Sequence, residues 1–405
     1  MEPAQDPRTI AVVGASLGGL RAVDALRRLG YAGRLVVIGA EPHMPYTRPP
    51  LTKKLLLGDG VAEHAQVALR VKPDPHDTEW VLGRDVVHCD LAARRLTLDD
   101  GTTVDFDGLV AATGVRSRRL PLEPDTASPS LPIRTLEDSV AVSERLRPDA
   151  SVAIIGAGFI GCEVAAAARA RGCRVAVVAV DEVPMQRPLG LQVGAELRRR
   201  HEAAGVVFHL GRGVASMAPE GGGTRLRLDD GTTLEADVVV EAVGSVPNVE
   251  WLAGNGLDLD DGVLCDGALR MGGIRACVAV GDVARFPNAI LGGPPRRVEH
   301  WQIPGETAVH AAATLFADLG GAEDDGEPFG TLPTFWSDQQ VASIRAFGAP
   351  GLADDVRVLE GDLAGDVAIG YLHEGALVGV VLLGLAKEQG RFLQQVQESL
   401  TLARA

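Results

Sequence analysis

The sequence predicts an α/β fold made by duplication: two similar parallel-sheet domains, the second inserted in the first, followed by a C-terminal α+β domain. Three observations predict it. Residues 9–19 (TIAVVGASLGG) resemble residues 151–161 (SVAIIGAGFIG), and self-similarity of this kind marks a repeated unit. Residues 96–104 (LTLDDGTTV) likewise resemble residues 226–234 (LRLDDGTTL). Each of these is followed by an apolar run ending in glycine, at 109–114 (LVAATG) and 238–244 (VVVEAVG). The order of strand, glycine-rich turn, hairpin and closing strand is therefore the same twice.

The elements follow in chain order. Residues 10–13 are apolar and mostly β-branched, as expected for a central parallel strand covered on both faces. A helix over 20–29 and a strand over 35–38 complete the first βαβ unit. The Asp100-Gly101 pair, set between alternating strands, predicts a hairpin with a type I′ turn. In the second copy the helix is expected over 162–170, the next strand over 174–178, and a second type I′ hairpin at Asp230-Gly231. From about residue 321 the pattern changes. Residues 334–346 and 367–383 read as strands and a closing helix runs through Gln394. The expected boundaries are 1–117 with 245–320 for the first domain, 118–244 for the second and 321–405 for the third.

Bulk properties narrow the function. At 405 residues the chain is long enough for two or three domains, each with its own core. Its formal charge of −15 argues against non-specific nucleic-acid binding, which needs a basic surface. Residues 1–9 are polar and contain no apolar signal stretch. The longest apolar run, 376–386, falls short of the roughly 20 residues that a membrane helix needs. A cytoplasmic protein with no membrane association is expected. The five cysteines, at 89, 162, 173, 265 and 277, form no C-x-x-C or C-x4-C pair and read as small buried hydrophobes.

The two glycine-rich turns read as phosphate cradles. Gly156-Ala-Gly158-Phe159-Ile160-Gly161 is a full G-x-G-x-x-G between a strand and a helix. Its first glycine permits the tight turn, the second lets backbone approach a pyrophosphate, and the third lets helix and strand pack closely. The phosphates then sit at the helix N-terminus, where free N–H groups and the dipole favour anions. The first copy, Gly14-Ala15-Ser16-Leu17-Gly18-Gly19, has serine at the middle position. Serine is small, and its hydroxyl can donate to phosphate. The acid expected about 20 residues on, for a ribose hydroxyl, is Glu41. In the second copy that position holds Ala179, with Asp181 and Glu182 just beyond. NADH and NADPH both stay open at this site, with NADH favoured because no arginine cluster follows the strand.

With both cradles in place, the intervening segments resemble those of the FAD-dependent ferredoxin reductases that serve bacterial cytochrome P450s and Rieske oxygenases. The marks are residues 45–53 (PYTRPPLTK), 112–114 (ATG), 133–138 (IRTLED), 280–284 (VGDVA), 297–301 (RVEHW) and 335–339 (FWSDQ). The resemblance covers essentially the whole chain. It implies a glutathione-reductase-like fold with Rossmann-like FAD-binding and NAD(P)-binding domains. It further implies that Asp282 accepts from the ribityl chain of FAD, that Lys53 lies near flavin N5, and that Glu163 pairs with Lys53 across the domain interface. Arg48 and Arg134 would be FAD contacts, the first suited to the diphosphate. Trp301 and Trp336 would stand beside the flavin, and His300 near it with no acid–base role. Val86, Thr113, Gly114 and Gly281 complete the implied FAD set. Arg187 and Gly244 join Phe159 and Ile160 on the NAD(P) side. Lys53, Glu163 and Trp336 are the implied catalytic residues.

The resemblance also implies the chemistry: hydride from NAD(P)H to FAD, then single electrons to an iron–sulfur ferredoxin. The cofactor does this chemistry and the protein orients it. No metal site is expected, since none of the nine histidines forms an H-x-x-H or H-E-x-x-H arrangement. No cysteine precedes Cys89, which disfavours a disulfide reductase or a cysteine peroxidase. Cys162 begins a helix, where a thiol pKa can fall, but its place behind a cradle glycine favours burial. Two alternatives remain: a stand-alone NAD(P)H oxidase or quinone/dye reductase, and a redox-sensing interaction protein of the apoptosis-inducing-factor type. A monomer or homodimer is expected.

Overall fold

The computed structural model describes residues 6–58, 63–74, 76–122, 130–321 and 326–403. Residues 1–5, at the start of the segment read as lacking a signal stretch, lie outside the described residues. So do residues 322–325, just after the expected start of the third domain. The chain divides into two compact units. One comprises residues 1–47, 67–116 and 246–333; the other comprises 48–66, 117–245 and 334–405.

The first unit is built on a five-stranded parallel sheet. Its order is Cys277–Ala279, Gly108–Ala111, Thr9–Val13, Arg34–Gly39 and Glu79–Leu82. Ile10 sits between Leu35 and Gly108 in register. Ile10, Ala11 and Val12 have no exposed surface, which is why both faces of this strand are apolar. The helices Leu17–Arg28 and Ile303–Asp318 pack together in this unit. The last strand of the sheet, Cys277–Ala279, lies beyond the whole second sheet in sequence, so the expected insertion is present.

The second unit contains another parallel sheet, ordered Val206–Leu210, Arg174–Ala179, Ser151–Ile155, Val238–Glu241 and Ser130–Leu131. It also contains an antiparallel sheet, Thr334–Asp338, Ser343–Gly348, Ala376–Leu383, Val367–His373 and Asp355–Gly361. The helix Gln389–Leu402 packs on Ala376–Leu383. Leu189, Val193 and Leu197 of the helix Gln186–Ala203 share a buried cluster with Ile344, Ile369 and Val381 of the antiparallel sheet. Burying side chains of this size stabilises by about 1.5–3 kcal/mol each.

The hairpins are present, but their turns differ from the expectation. A type I′ turn needs positive φ at both central residues. Here Gly101 (φ +83°) and Gly231 (φ +86°) are left-handed, while Asp100 and Asp230 are not. In each hairpin the glycine N–H donates to Leu98 or Leu228, and the same leucine N–H donates to Thr102 or Thr232. The turns are therefore three-residue loops of the type I plus left-handed glycine kind. Each aspartate side chain accepts from the threonine N–H two residues on, which stabilises the turn with no positive φ at the acid. Among the described residues, no helix is long and apolar enough to cross a membrane.

Candidate functional site

The two glycine turns have the same geometry. Gly14 N–H donates to Ile38 at 2.7 Å and Ala112 N–H to Val13 at 2.7 Å; Gly156 N–H donates to Val178 at 2.8 Å and Ala242 N–H to Ile155 at 2.7 Å. Gly14 (φ +119°) and Gly156 (φ +106°) are left-handed, and a Cβ on either would stand 2.1 or 2.2 Å from the carbonyl oxygen of Ala112 or Ala242. A Cβ on Gly19 or Gly161 would lie 2.0 Å from the oxygen of Gly14 or Gly156. The first and third glycines of each turn are thus required by the protein's own packing.

The middle position is different. Gly158 is N-cap of the helix Phe159–Ala170, with φ −76° and ψ −172°, and a Cβ there would meet nothing within 4 Å. Ser16 is N-cap of Leu17–Arg28 in the same extended conformation and makes no side-chain capping bond. Both helices begin without a capping side chain and without an acid in their first turn. Their first N–H groups have no intrahelical acceptor, and the dipole adds partial positive charge. That donor set fits a dinucleotide diphosphate. Leu17 is buried, Ala15 half-buried, and Phe159 and Ile160 open the second helix at its partly exposed end.

Around the first cradle, Glu41 follows the strand Arg34–Gly39 and accepts from the Tyr46 hydroxyl. Thr113 and Gly114 are clamped by Asn248: Thr113 Oγ1 donates to Asn248 O (2.7 Å), Asn248 Nδ2 donates to Thr113 O (3.0 Å), and Asn248 N–H donates to Gly114 O. Gly281 (φ +70°) begins a short turn over Gly281–Val283, and its N–H donates to Thr307 Oγ1. This holds Asp282 against the start of the helix Ile303–Asp318, and Arg297 donates to the Asp282 carbonyl. Val86 opens the strand Val86–Asp90. Trp301 is half-buried. His300 is only half-buried as a residue, but its ring lies deep enough that burial pushes it down to about 4.

In the second unit, Lys53 stands between the short turns Pro49–Thr52 and Lys54–Leu57. Its Nζ lies 2.7 Å from Glu163 Oε1. Glu163 is 4% exposed, near the start of the helix Phe159–Ala170, and also accepts from Thr52 Oγ1 (2.5 Å) and Ser337 Oγ (2.6 Å). Both residues of the pair belong to the second unit by compactness. Arg48 donates to the Arg134 carbonyl at 2.7 Å, bringing those two residues together. Trp336 is 37% exposed. Ala179 ends its strand, and its carbonyl accepts from Arg212 N–H. Beyond it Arg187, widely exposed, lies 3.7 Å from Asp181, and Arg212 pairs with Asp230 at 2.9 Å. Gly244 is left-handed (φ +102°) after the strand Val238–Glu241. All five cysteines are free and buried; burial pushes Cys162 up to about 12, so its helix-start position yields no thiolate.

Sequence reasoning missed Thr52, Asn248 and Ser337. Thr52 and Ser337 sit inside the quoted motifs, and Asn248 directly follows the strand Ser245–Pro247. None has a spacing signal of its own.

A model of the family described as pyridine nucleotide-disulphide oxidoreductase matches residues 8–308. The chain belongs to the pyridine nucleotide-disulphide oxidoreductase family. Among members of known role, it is 36% identical over 382 residues to the ferredoxin–NAD(+) reductase component of the anthranilate 1,2-dioxygenase system of Burkholderia cepacia, covering 94% of this chain and 91% of that one. Its structure resembles the ferredoxin reductase for the CYP199A2 system from Rhodopseudomonas palustris, with TM-score 0.86, 32% identity and coverage of 95% and 93%. It also resembles the reductase in a covalent putidaredoxin reductase–putidaredoxin complex, with TM-score 0.88, 28% identity and coverage of 97% and 93%. The family's two-nucleotide α/β architecture is the one described above, and the chain is an oxidoreductase. Although the family takes its name from disulphides, this sequence has no C-x-x-C or C-x4-C cysteine pair.

Proposed function

We propose that the chain transfers reducing equivalents from NADH, by way of bound FAD, to an iron–sulfur ferredoxin that serves a P450 or Rieske oxygenase. The observation that carries this reading is the pair of matching uncapped helix starts, each behind a glycine turn, in a chain with no C-x-x-C or C-x4-C cysteine pair. Relatives named as ferredoxin reductase components add support.

FAD when bound supplies the conversion between a two-electron donor and one-electron acceptors. The chain's residues do the rest. The turn at Gly14, Ser16 and Gly19 holds the FAD diphosphate by main-chain N–H groups. Glu41, steadied by Tyr46, accepts a ribose hydroxyl, and Asp282 accepts from the ribityl chain. Lys53 holds positive charge where negative charge develops on reduction, and Glu163 fixes its direction. The turn at Gly156, Gly158 and Gly161 holds the nicotinamide coenzyme. Asp181, two residues past Ala179, offers the carboxylate for its ribose. The two nearby guanidinium groups, Arg187 and Arg212, already face carboxylates, which favours NADH over NADPH. The cytoplasm, where reduced nicotinamide and ferredoxin occur together, is the fitting location.

Stopped-flow spectroscopy tests the reading. Flavin bleaching on NADH addition, followed by reoxidation with a co-expressed ferredoxin much faster than with oxygen, is expected. Fast oxygen turnover with no ferredoxin reduction would favour a stand-alone oxidase instead. For Lys53→Ala, hydride transfer should slow by roughly 100- to 1,000-fold with FAD retained, as expected for removing one preorganised stabilising group; an unchanged reductive half-reaction would remove Lys53 from the site. Comparing kcat/KM for NADH and NADPH tests the coenzyme assignment, with preference for NADH expected.

A further inference from the structure

Behind the Lys53–Glu163 pair lies a run of buried polar side chains that the proposed reaction does not itself require. Ser337 and Gln339, 1% and 0% exposed, lie on and just after the strand Thr334–Asp338. Ser337 Oγ donates to Glu163 Oε1 at 2.6 Å. Gln339 Nε2 donates to Ser337 Oγ at 3.0 Å and to the sulfur of Met185 at 3.4 Å. With its amide nitrogen so engaged, Gln339 turns Oε1 towards His201 Nε2, 2.9 Å away. His201 has no exposed surface, and burial pushes its pKa down, so it is neutral with its proton on Nε2.

Every donor in this run points the same way, from His201 through Gln339 and Ser337 to the Glu163 carboxylate. A carboxylate only accepts, and hydrogen bonds aligned in series polarise one another. The run also reaches the second cradle. Met185, whose sulfur accepts from Gln339, donates its own N–H to the carbonyl of Ala157 at 2.9 Å, between Gly156 and Gly158. Met185 is held at φ +53°, a left-handed conformation that a non-glycine residue adopts only when its surroundings over-determine it.

We infer that Ser337 and Gln339 are positioning residues that share the charge of Glu163 and so set how tightly it holds Lys53, with Met185 tying them to the second glycine turn. Ser337 and Lys53 compete for the same oxygen, Oε1. Removing the serine donor leaves more negative charge on that oxygen for the ammonium. Lys53 is then held more closely, and less of its charge is available to its surroundings. The functional consequence rests on the proposed placement of Lys53 beside the flavin; the tightening itself does not.

The test labels the full-length protein as purified with acetic anhydride and reads Lys53 against its exposed neighbour Lys54 by mass spectrometry. Ser337→Ala is expected to slow acylation of Lys53 by roughly three- to tenfold, the scale of one ordinary net hydrogen bond, with Lys54 unchanged. Gln339→Met, of similar size and apolar, should move Lys53 in the same direction by less; if it does not fold, Ser337→Ala decides alone. Unchanged or faster labelling of Lys53 in Ser337→Ala overturns the inference. The flavin midpoint potential supplies a second readout. It should fall in Ser337→Ala, and Ser337→Ala should have no further effect in a Lys53→Met background. FAD content of the wild-type protein is recorded alongside. A protein without FAD would count against the proposed function, whereas the labelling result bears on Ser337 and Gln339 alone.

Discussion

Gly158 has φ −76°, ψ −172° and no atom within 4 Å of where a Cβ would stand. Any residue can adopt that backbone, so nothing in the fold itself requires glycine there. Gly156 is the reverse, with φ +106° and a clash at 2.2 Å with Ala242 O. Gly156→Ala should therefore destabilise by about 2–4 kcal/mol, because both strain and overpacking act. Gly158→Val should cost no more than about 1 kcal/mol of stability, the scale of exchanging an N-cap glycine for an apolar residue, and raise the KM for the coenzyme by at least about tenfold, or 1.4 kcal/mol. Chemical denaturation and steady-state kinetics on the two variants separate these effects. If Gly158→Val unfolds the protein instead, the middle glycine is structural. The same comparison explains Ser16: the first copy departs from the motif at the one position where the backbone does not need glycine.

At the scale of elements, strands covered on both faces were legible, because Ile10 to Val13 and Val238 to Val240 are apolar without interruption. The strand Asp355–Gly361 was not legible. It lies at a sheet edge with nearly every residue exposed, so burial imposes no alternation on its sequence. The helix Leu17–Arg28 starts three residues before the expected position, because its first turn contains Gly18 and Gly19, poor helix formers that close packing demands. The site was legible as motifs, but the donors converging on Glu163 were not, since they come from segments 111 and 174 residues away. The helix Gln186–Ala203 carries a further test. Glu196, 8% exposed, is bonded by Arg199 and Arg200, which hold its carboxyl down at about 2. Arg200 also donates to the carbonyls of Leu363 and Gly365, so Glu196 steadies the arginine that joins the helix to that loop. A depressed carboxyl stabilises the fold above its unfolded value of about 4.5, and this stability is lost as pH falls from there towards 2. Glu196→Gln should cost about 1–2 kcal/mol at pH 7. The deficit should shrink below pH 4.5 in urea melts taken across that range; a pH-independent deficit would mean that packing, not charge, is what Glu196 supplies.

For the molecule as a whole, acid stability depends on what unfolding does to buried imidazoles. Among the described residues, two imidazoles are held low by burial: His300 in the first compact unit and His201 in the second. Burial pushes both down, His300 to about 4. Unfolded, each takes up a proton as pH falls below about 6.5. Folded, His300 stays neutral until about 4. Between those values the unfolded chain binds more protons than the folded one, so stability must fall as pH falls, by up to about 1.4 kcal/mol per pH unit for each such histidine. Carboxylates held down by their partners, such as Glu196, add their own loss only lower. Two acid limbs should therefore separate, one from about 6.5 down and one below about 4.5. Urea midpoints measured from pH 8 to pH 4 should decline across the upper limb. His300→Gln, which cannot take up a proton in either state, should flatten that decline relative to wild type at a constant m-value. An equal slope in the variant would take the upper limb away from His300, and a flat wild-type profile would mean that neither imidazole is held neutral by the fold.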